Sequence, residues 1–125
     1  MKNDDRFTVS AVIDKNLLCV HLRGDVDPGC MKICVDQIAT QLPNLAKGFS
    51  ILTDLSGLSS MDTHCISELE RMMDLCRKSG AATVVRVIPD QSKDIGFSIL
   101  SLFHYRNKVH VLTVKSLAEA ERALK

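Results

Sequence analysis

Apolar and polar residues alternate with a period of two in two short stretches near the start of the chain. Phe7 to Asp14 and Leu17 to Arg23 each show this alternation, and their apolar sides are made by Phe7, Val9, Ala11, Ile13, Leu18, Val20 and Leu22. A period of two predicts β-strands. Only Asp14 to Asn16 separate the two runs, so we expect an antiparallel hairpin with one face partly in solvent. On this pattern His21 is a solvated strand residue.

Later in the chain, apolar residues recur at spacings of three and four, which predicts four amphipathic helices. Their stripes are Met31, Cys34, Val35, Ile38 and Leu42; Ile66, Leu69, Met72, Met73 and Cys76; Ile95, Ile99, Leu102 and Phe103; and Leu117, Ala120 and Leu124. Pro43 ends the first helix and Ser79-Gly80 ends the second, while Ser116 and Glu119 form a capping box before the last.

Three more strands are predicted between these helices. They are Ser50 to Leu55, Ala82 to Ile88 and Val109 to Val114, and the last two are continuously apolar, as parallel strands covered on both faces are. The order β-β-α-β-α-β-α-β-α predicts an α/β fold, with a mixed, mostly parallel sheet, an N-terminal β-hairpin and four flanking helices. A length of 125 residues predicts a single domain over residues 1–125.

Composition narrows the classes of function. The formal net charge is +1, from 16 basic and 15 acidic residues, and Trp is absent. This balance gives no electrostatic reason to expect nucleic acid or an anionic membrane as a partner. No apolar run approaches the roughly 20 residues of a membrane helix, and Met1 to Arg6 does not resemble a signal peptide. We therefore expect a cytoplasmic protein.

Five cysteines, an odd number without a C-x-x-C pair, argue against a disulfide framework. Cys34 and Cys76 fall on apolar helix stripes, where a thiol behaves as a small hydrophobic group. Cys30 and Cys34 are one helical turn apart, but two thiols are too few for a structural zinc site. We expect reduced thiols, no metal ion and no cofactor.

Three stretches give the chain a resemblance to the STAS domain of anti-sigma factor antagonists. They are Leu22 to Asp27 (LRGDVD), Ile51 to Asp62 (ILTDLSGLSSMD) and Arg77 to Asp90 (RKSGAATVVRVIPD). The resemblance covers roughly residues 8 to 124. It implies a bacterial signalling protein that binds an anti-sigma factor or related regulator and is not an enzyme.

Antagonists of this family carry a phosphorylation motif, Asp-Ser/Thr-Ser-Gly. The resemblance aligns this motif with residues 62 to 65 of the present sequence. The Asp falls on Asp62, the first hydroxyl on Thr63, the phosphoacceptor serine on His64 and the Gly on Cys65. The usual acceptor serine is therefore missing.

Three interpretations of Asp62 to Cys65 follow. Asp62 or Thr63 caps the helix, with His64 in solvent and Cys65 turned to the core. Thr63 is a substitute phosphoacceptor at the helix N-terminus. Cys65 is a thiol nucleophile with His64 as base, although adjacent helical residues point about 100° apart. The helix N-terminus would make Cys65 more reactive than Cys34 or Cys76.

Two other features bear on function. Arg86 interrupts an apolar strand, and we expect Asp54 as its buried partner. Phe103 to His110 clusters cationic residues with two histidines and a tyrosine, which is typical of a solvated loop, with a phosphate or nucleotide site as the alternative.

Taken together, the sequence predicts a protein-binding module whose partner docks on Ser56 to Cys65 and the neighbouring loop Asp25 to Gly29. Its candidate partner-binding residues are Asp25, Asp27, Ser56, Asp62, Thr63, His64 and Cys65. Binding would be constitutive, or set by pH through His64 one turn before Glu68, and a homodimer is possible. The alternative is a small-molecule sensor with a ligand at the carboxyl ends of the parallel strands, for which we expect a deep apolar pocket beside Asp62.

Overall fold

A five-stranded mixed sheet forms the centre of the molecule. The computed structural model describes residues 5–90, 100, 104, 105 and 108–124. Their strands are β1 (Phe7–Val12), β2 (Leu17–Val26), β3 (Ser50–Met61), β4 (Thr83–Val87) and β5 (His110–Val114), in the spatial order β1-β2-β3-β4-β5. β1 and β2 are antiparallel, and every later pair is parallel. The predicted hairpin and the predicted parallel neighbours β3, β4 and β5 are both confirmed.

Three α-helices lie within the described residues: α1 (Pro28–Gln41), α2 (Ile66–Lys78) and α3 (Leu117–Ala123). Asp27 caps α1 by accepting from the Cys30 N–H at 2.8 Å, and Ser116 caps α3 by accepting from the Glu119 N–H at 3.2 Å. α2 ends at Lys78, two residues before Gly80, whose φ of +97° suits glycine. The fourth predicted helix, Ile95 to Phe103, lies outside the described residues apart from Leu100.

The sheet separates two hydrophobic clusters of unequal size. The larger lies on the face covered by α1 and α2, which we call the α1/α2 face, and includes Leu18, Val20, Leu22, Cys34, Ile38, Ile51, Leu55, Leu69, Met73 and Val84. The smaller lies on the opposite face, which we call the α3 face, and consists of Leu52, Val85, Val87, Val114 and Ala120. α3 packs on β4 and β5. Leu17 and Cys19 of β2 pack against this smaller cluster. Elsewhere on the α3 face, β1 and β2 carry polar, at least partly exposed side chains, which are Thr8, Ser10, His21 and Arg23.

The connection between β1 and β2 begins earlier than the alternation predicts. Ile13–Lys15 form a 3-10 turn, and Ile13 is 57% exposed instead of continuing the apolar side of β1. Asn16 closes the turn with a φ of +49°, and its amide exchanges hydrogen bonds with the backbone of Ala46. Because asparagine tolerates the left-handed conformation, the chain reverses there without a glycine.

β3 is twice as long as predicted, and its outer half is irregular. The pairing with β2 shifts between His21 and Arg23 and again between Gly24 and Asp25, and each shift places one extra residue in β3. These are two β-bulges. The buried residues of this half are Leu55, Leu58 and Met61, three apart, whereas a regular strand buries every second residue.

Candidate functional site

The carboxyl ends of β2 and β3 meet beside the start of α2 and form the candidate site. The residues that line or border it are Arg6, Asp25, Asp27, Ser60, Asp62, Thr63 and His64, and we call this set the β2–β3 rim. The Asp62 N–H donates to the Val26 carbonyl at 3.0 Å, which joins the two strand ends. The predicted residues Asp25, Asp27 and Asp62 are thus brought to one place.

Hydrogen bonds with Ser60 and Arg6 fix the carboxylates of Asp25 and Asp27. Ser60 Oγ donates to Asp25 Oδ1 at 2.7 Å across the strand pair. Arg6 Nη1 donates to Asp27 Oδ2 at 3.0 Å and to the Asp25 carbonyl at 3.3 Å. Since the other carboxylate oxygen of Asp27 caps α1, this side chain ties the N-terminal segment to the helix.

Asp62 caps the 3-10 turn Thr63–Cys65 that leads into α2. Its Oδ1 accepts from the backbone N–H of His64 and contacts the His64 ring at Nδ1, both at 2.8 Å. These hydrogen bonds lower the pKa of Asp62 below its usual value. The His64 side chain is 84% exposed, so the capping interpretation, with His64 in solvent, describes the observed geometry.

The structure contradicts the reactivity that the sequence predicted for the Cys65 thiol. The helix N-terminus was expected to favour its thiolate, but Cys65 is fully buried and its Sγ lies 3.7 Å from the Val26 carbonyl oxygen. Burial raises the pKa of this thiol, and the carboxylates of Asp62 and Asp27 raise it further. His64 contacts Asp62 and not the thiol. A buried thiol beside two carboxylates is poorly suited to act as a nucleophile.

Thr63 and Ser56 lie in different surroundings. Thr63 is exposed at the start of the 3-10 turn, beside the rim carboxylates. Ser56 sits in the first bulge of β3, alongside Leu22 of β2. Leu22 lies four residues before Val26, the end of β2, so Ser56 is roughly 13 Å from the strand ends. Ser56 is therefore not part of the rim, because the strand continues where the sequence predicted its end.

The surface between the rim residues is an open depression of about 470 Å³, lined by Arg6, Asp25, Val26, Asp27, Ser60, Met61 and Asp62. Three carboxylates and one guanidinium make it polar and mostly acidic. The described residues thus form a shallow charged surface beside Asp62, where a sensor was expected to have a deep apolar pocket.

Arg86 and Asp54 do not form the expected ion pair. Arg86 is in register with Thr53, whereas Asp54 is in register with His21 and Val87. Successive strand residues point to opposite faces, so Arg86 lies on the α1/α2 face and Asp54 on the α3 face. Asp54 instead accepts from the Ser56 N–H and contacts His21 Nδ1, each at 2.9 Å. His21 is correspondingly half-buried rather than a freely solvated residue.

The described part of the Phe103 to His110 cluster packs against α2. His104 Nδ1 lies 3.0 Å from Asp74 Oδ1, and its Nε2 lies 2.8 Å from Glu70 Oε2. The Arg77 side chain donates to the His104 carbonyl at 2.8 Å, and Tyr105 is buried. His104 and Tyr105 are therefore not free loop residues, whereas Phe103, Arg106 and Asn107 lie outside the described residues.

Two rim residues, Arg6 and Ser60, were not among the individually predicted site residues. Ser60 lies within the predicted docking range Ser56 to Cys65 but after the predicted end of β3, and Arg6 lies outside both predicted ranges. The available signal was the spacing of three in Leu55, Leu58 and Met61, which continues the strand through its bulges. Within the described residues, no group of three or more His, Cys, Asp or Glu side chains is placed to hold a metal ion, and no helix there is long and apolar enough to cross a membrane.

Solved structures resemble this architecture over nearly its whole length. The anti-sigma factor antagonist SpoIIAA in its unphosphorylated form matches with a TM-score of 0.62 and 16% identity over 94% of each chain. A DUF3478-family protein from Shewanella loihica, described as having a SpoIIAA-like fold, matches with a TM-score of 0.69 and 11% identity over 100% of this chain and 99% of that one. This chain has the SpoIIAA-like fold.

An anti-sigma factor antagonist from Mycobacterium paratuberculosis shares the SpoIIAA-like fold at a TM-score of 0.55 and 15% identity, over 99% of this chain and 98% of that one. SpoIIAA has also been solved in a phosphorylated form, at a TM-score of 0.62 and 16% identity, over 95% of this chain and 99% of that one. No family model and no curated protein matches the sequence. At these identities the likeness establishes the fold.

Proposed function

We propose that this chain is a non-catalytic protein-binding module in bacterial signalling, and that its partner, an anti-sigma factor or a related regulator, docks on the β2–β3 rim. The observation that carries the proposal is the open, charged form of the rim, with the side chains of Asp27 and His64 57% and 84% exposed. A flat surface with projecting polar groups suits a protein partner better than a small ligand, which usually occupies a concave, largely apolar pocket. The SpoIIAA-like fold agrees with this role, since the neighbours named above include anti-sigma factor antagonists.

A non-catalytic role is supported by the chemistry of the Asp62 to Cys65 segment. A general base must lie within hydrogen-bond reach of the nucleophile that it activates. Here the His64 ring contacts Asp62, and the Cys65 thiol is turned into the core. The segment thus offers a capping carboxylate and an exposed imidazole, which are groups for recognition.

The rim differs from that of the family's antagonists at the switch residue. In the resemblance described above, position 64 corresponds to the acceptor serine, and a histidine there offers no hydroxyl for a stable phosphoester. We therefore propose constitutive binding. The alternative of control by pH relied on Glu68, but Glu68 pairs with Arg71 at 2.7 Å and not with His64.

The test is a charge substitution in the rim with a matched control. His64→Glu adds a fixed negative charge to a surface that already carries three carboxylates, as a phosphate would. His110→Glu makes the same change at an exposed position at the amino end of β5, two strands from β3. Each variant is immobilised and exposed to bacterial extract, and captured proteins are identified by mass spectrometry.

A regulator captured by the wild type and by His110→Glu, but at least about tenfold less by His64→Glu, supports docking at the rim. Equal capture by the two variants would contradict the proposed surface. A phosphate found on Thr63 in protein purified from its host would contradict constitutive binding. Sedimentation of the wild type alone tests the possible homodimer.

A further inference from the structure

A histidine–aspartate pair lies on the α3 face, away from the β2–β3 rim. His21 on β2 and Asp54 on β3 are register partners, and His21 Nδ1 lies 2.9 Å from Asp54 Oδ2. Neither residue takes part in the proposed docking surface. The His21 side chain is 33% exposed and that of Asp54 is 10% exposed, so solvent reaches the imidazole but hardly reaches the carboxylate.

The first bulge of β3 holds the Asp54 carboxylate in place. The extra residue leaves the Ser56 N–H without its ladder partner, and Asp54 Oδ1 accepts this N–H at 2.9 Å. Burial raises the pKa of Asp54, but the hydrogen bonds from Ser56 and His21 outweigh it and lower the pKa below its usual value. Asp54 is therefore ionised at neutral pH and accepts the proton on His21 Nδ1.

This contact fixes the tautomer of a neutral His21. With the proton on Nδ1, the lone pair is on Nε2. Among the described residues no group forms a hydrogen bond with His21 Nε2, and the ring is partly exposed. A carboxylate in this position orients the imidazole and fixes its tautomer.

A cation and a hydroxyl lie beside the imidazole. Thr8 on β1 is the register partner of His21, so their Cβ atoms are on the order of 5 Å apart. The Arg23 guanidinium hydrogen-bonds to Thr8 Oγ1 through both terminal nitrogens, and its Nη1 also donates to the Asp5 carbonyl at 3.0 Å. These bonds hold the guanidinium over Thr8, while Nε–H and one Nη2 hydrogen stay available to an anion.

Gly57 leaves the space in which the Arg23 side chain lies. A Cβ at position 57 would come within 3.0 Å of Arg23 Cβ. The glycine of the bulged strand, the hydroxyl of β1 and the guanidinium of β2 thus hold a positive charge at Thr8, the register partner of His21.

We propose that His21 is a phosphoryl acceptor, which takes a phosphoryl group on Nε2 from a high-energy phosphoryl donor of the phosphoramidate or acyl phosphate class. Nε2 forms the N–P bond with its lone pair, and the donor's own bond to phosphorus breaks; with phosphoramidate the leaving group is ammonia. The Nδ1 proton stays in the hydrogen bond to Asp54, whose carboxylate balances the positive charge of the ring. Arg23 and Thr8 bind the phosphoryl oxygens, since arginine matches phosphate in charge and geometry.

His64 provides an internal control within the same chain. Its Nδ1 also contacts an aspartate, at 2.8 Å, and its side chain is far more exposed than that of His21. Its surroundings, however, are mostly acidic, because the rim carries the carboxylates of Asp62, Asp27 and Asp25, and its one guanidinium, that of Arg6, is paired with Asp27. Accessibility alone therefore predicts faster reaction at His64, whereas the proposed anion site predicts faster reaction at His21.

The experiment treats the full chain with phosphoramidate at neutral pH and follows each histidine by peptide mapping under alkaline conditions, which preserve the acid-labile N–P bond. In the folded protein we expect His21 to react at least about tenfold faster than His64, because charge-assisted hydrogen bonds from Arg23 would stabilise the incoming phosphoryl oxygens at His21 alone. In urea the two rates should become similar. Reaction at His21 no faster than at His64 in the folded protein overturns the proposal.

Two variants separate the parts of the site. Arg23→Gln should reduce the rate at His21 toward that at His64 by removing the cation, and Asp54→Asn should reduce it by releasing the ring orientation. Far-UV circular dichroism identifies a variant that does not fold. In that case the proposal is tested by the other variant and by comparing the His21 and His64 rates in folded protein and in urea. An unchanged His21 rate in a folded Arg23→Gln protein contradicts the anion site.

Discussion

His104 gives a stability prediction whose size and pH dependence both follow from the structure. Its two ring nitrogens contact Asp74 at 3.0 Å and Glu70 at 2.8 Å, so the ring contacts two carboxylates of α2. An imidazole ring with a carboxylate at each nitrogen can donate a hydrogen bond to both only when both nitrogens are protonated. The side chains of Asp74 and Glu70 are 37% and 40% exposed, so water screens part of their attraction to the ring. Two such pairs contribute about 1 kcal/mol together.

The sign of the pH dependence follows from the direction of the pKa shift. Burial lowers the pKa of His104, but the hydrogen bonds to Asp74 and Glu70 outweigh it and raise the pKa above its usual value. The folded state therefore holds this proton more tightly than the unfolded state. The contribution is complete below the unfolded pKa of about 6.5 and is lost as the pH rises through the folded value.

The assay compares thermal unfolding of the wild type and His104→Gln at acidic and at alkaline pH. Because unfolding entropy scales with length, 1 kcal/mol corresponds to about 4 °C in Tm for a chain of this size. We expect a loss of about 4 °C near pH 5.5 and a much smaller loss near pH 8.5. His110→Gln, at an exposed position on β5, is the control and should shift Tm little at either pH. An equal loss for His104→Gln at both pH values would refute the charged bridge.

Two further predictions concern the thiols and Gly57. Cys19 should react with a thiol reagent at least about tenfold faster than the four buried cysteines, which react only after local opening; faster labelling of Cys65 would show that the start of α2 is open in solution. Gly57→Ala should lower the free energy of unfolding by about 1 kcal/mol, because the added Cβ would press on Arg23 Cβ at 3.0 Å. Gly29→Ala is the control, since its Cβ would meet Asp27 Oδ1 at an ordinary 3.5 Å, and an equal loss in both variants would contradict the role given to Gly57.

Regular hydrophobic periods were sufficient to predict most of the fold. The alternation in β2 corresponds to buried residues, and so does the predicted stripe of α2 except for Ile66, which is 40% exposed at the start of the helix. Both elements place one side against the same core. The caps Asp62 and Ser116 could also be recognised, since each carries an acceptor side chain just before its helical segment. A helix cap can be predicted from the sequence because the side chain and the backbone N–H that it accepts from are only a few residues apart.

The incorrect predictions concern contacts between distant parts of the chain. Pairing Arg86 with Asp54 required knowing which face of the sheet each side chain occupies, and a shift of one residue reverses that face. The partners of His21 and His104 lie 33, 30 and 34 residues away in sequence, so no local pattern indicates them. Cys65 was assigned from the helix N-terminus alone, but burial and two carboxylates oppose the thiolate there.

The two bulges of β3 connect the fold to both candidate sites. Between His21 and Val26, β2 advances five residues, while β3 advances seven from Asp54 to Met61, so β3 places two additional residues in the same length. In a regular strand these residues would carry Asp62 roughly 7 Å beyond Val26 and away from Asp25 and Asp27. The first bulge also supplies the amide that fixes Asp54 beside His21. The irregular spacing of Leu55, Leu58 and Met61 is therefore the sequence feature on which the rim and the histidine–aspartate pair both depend.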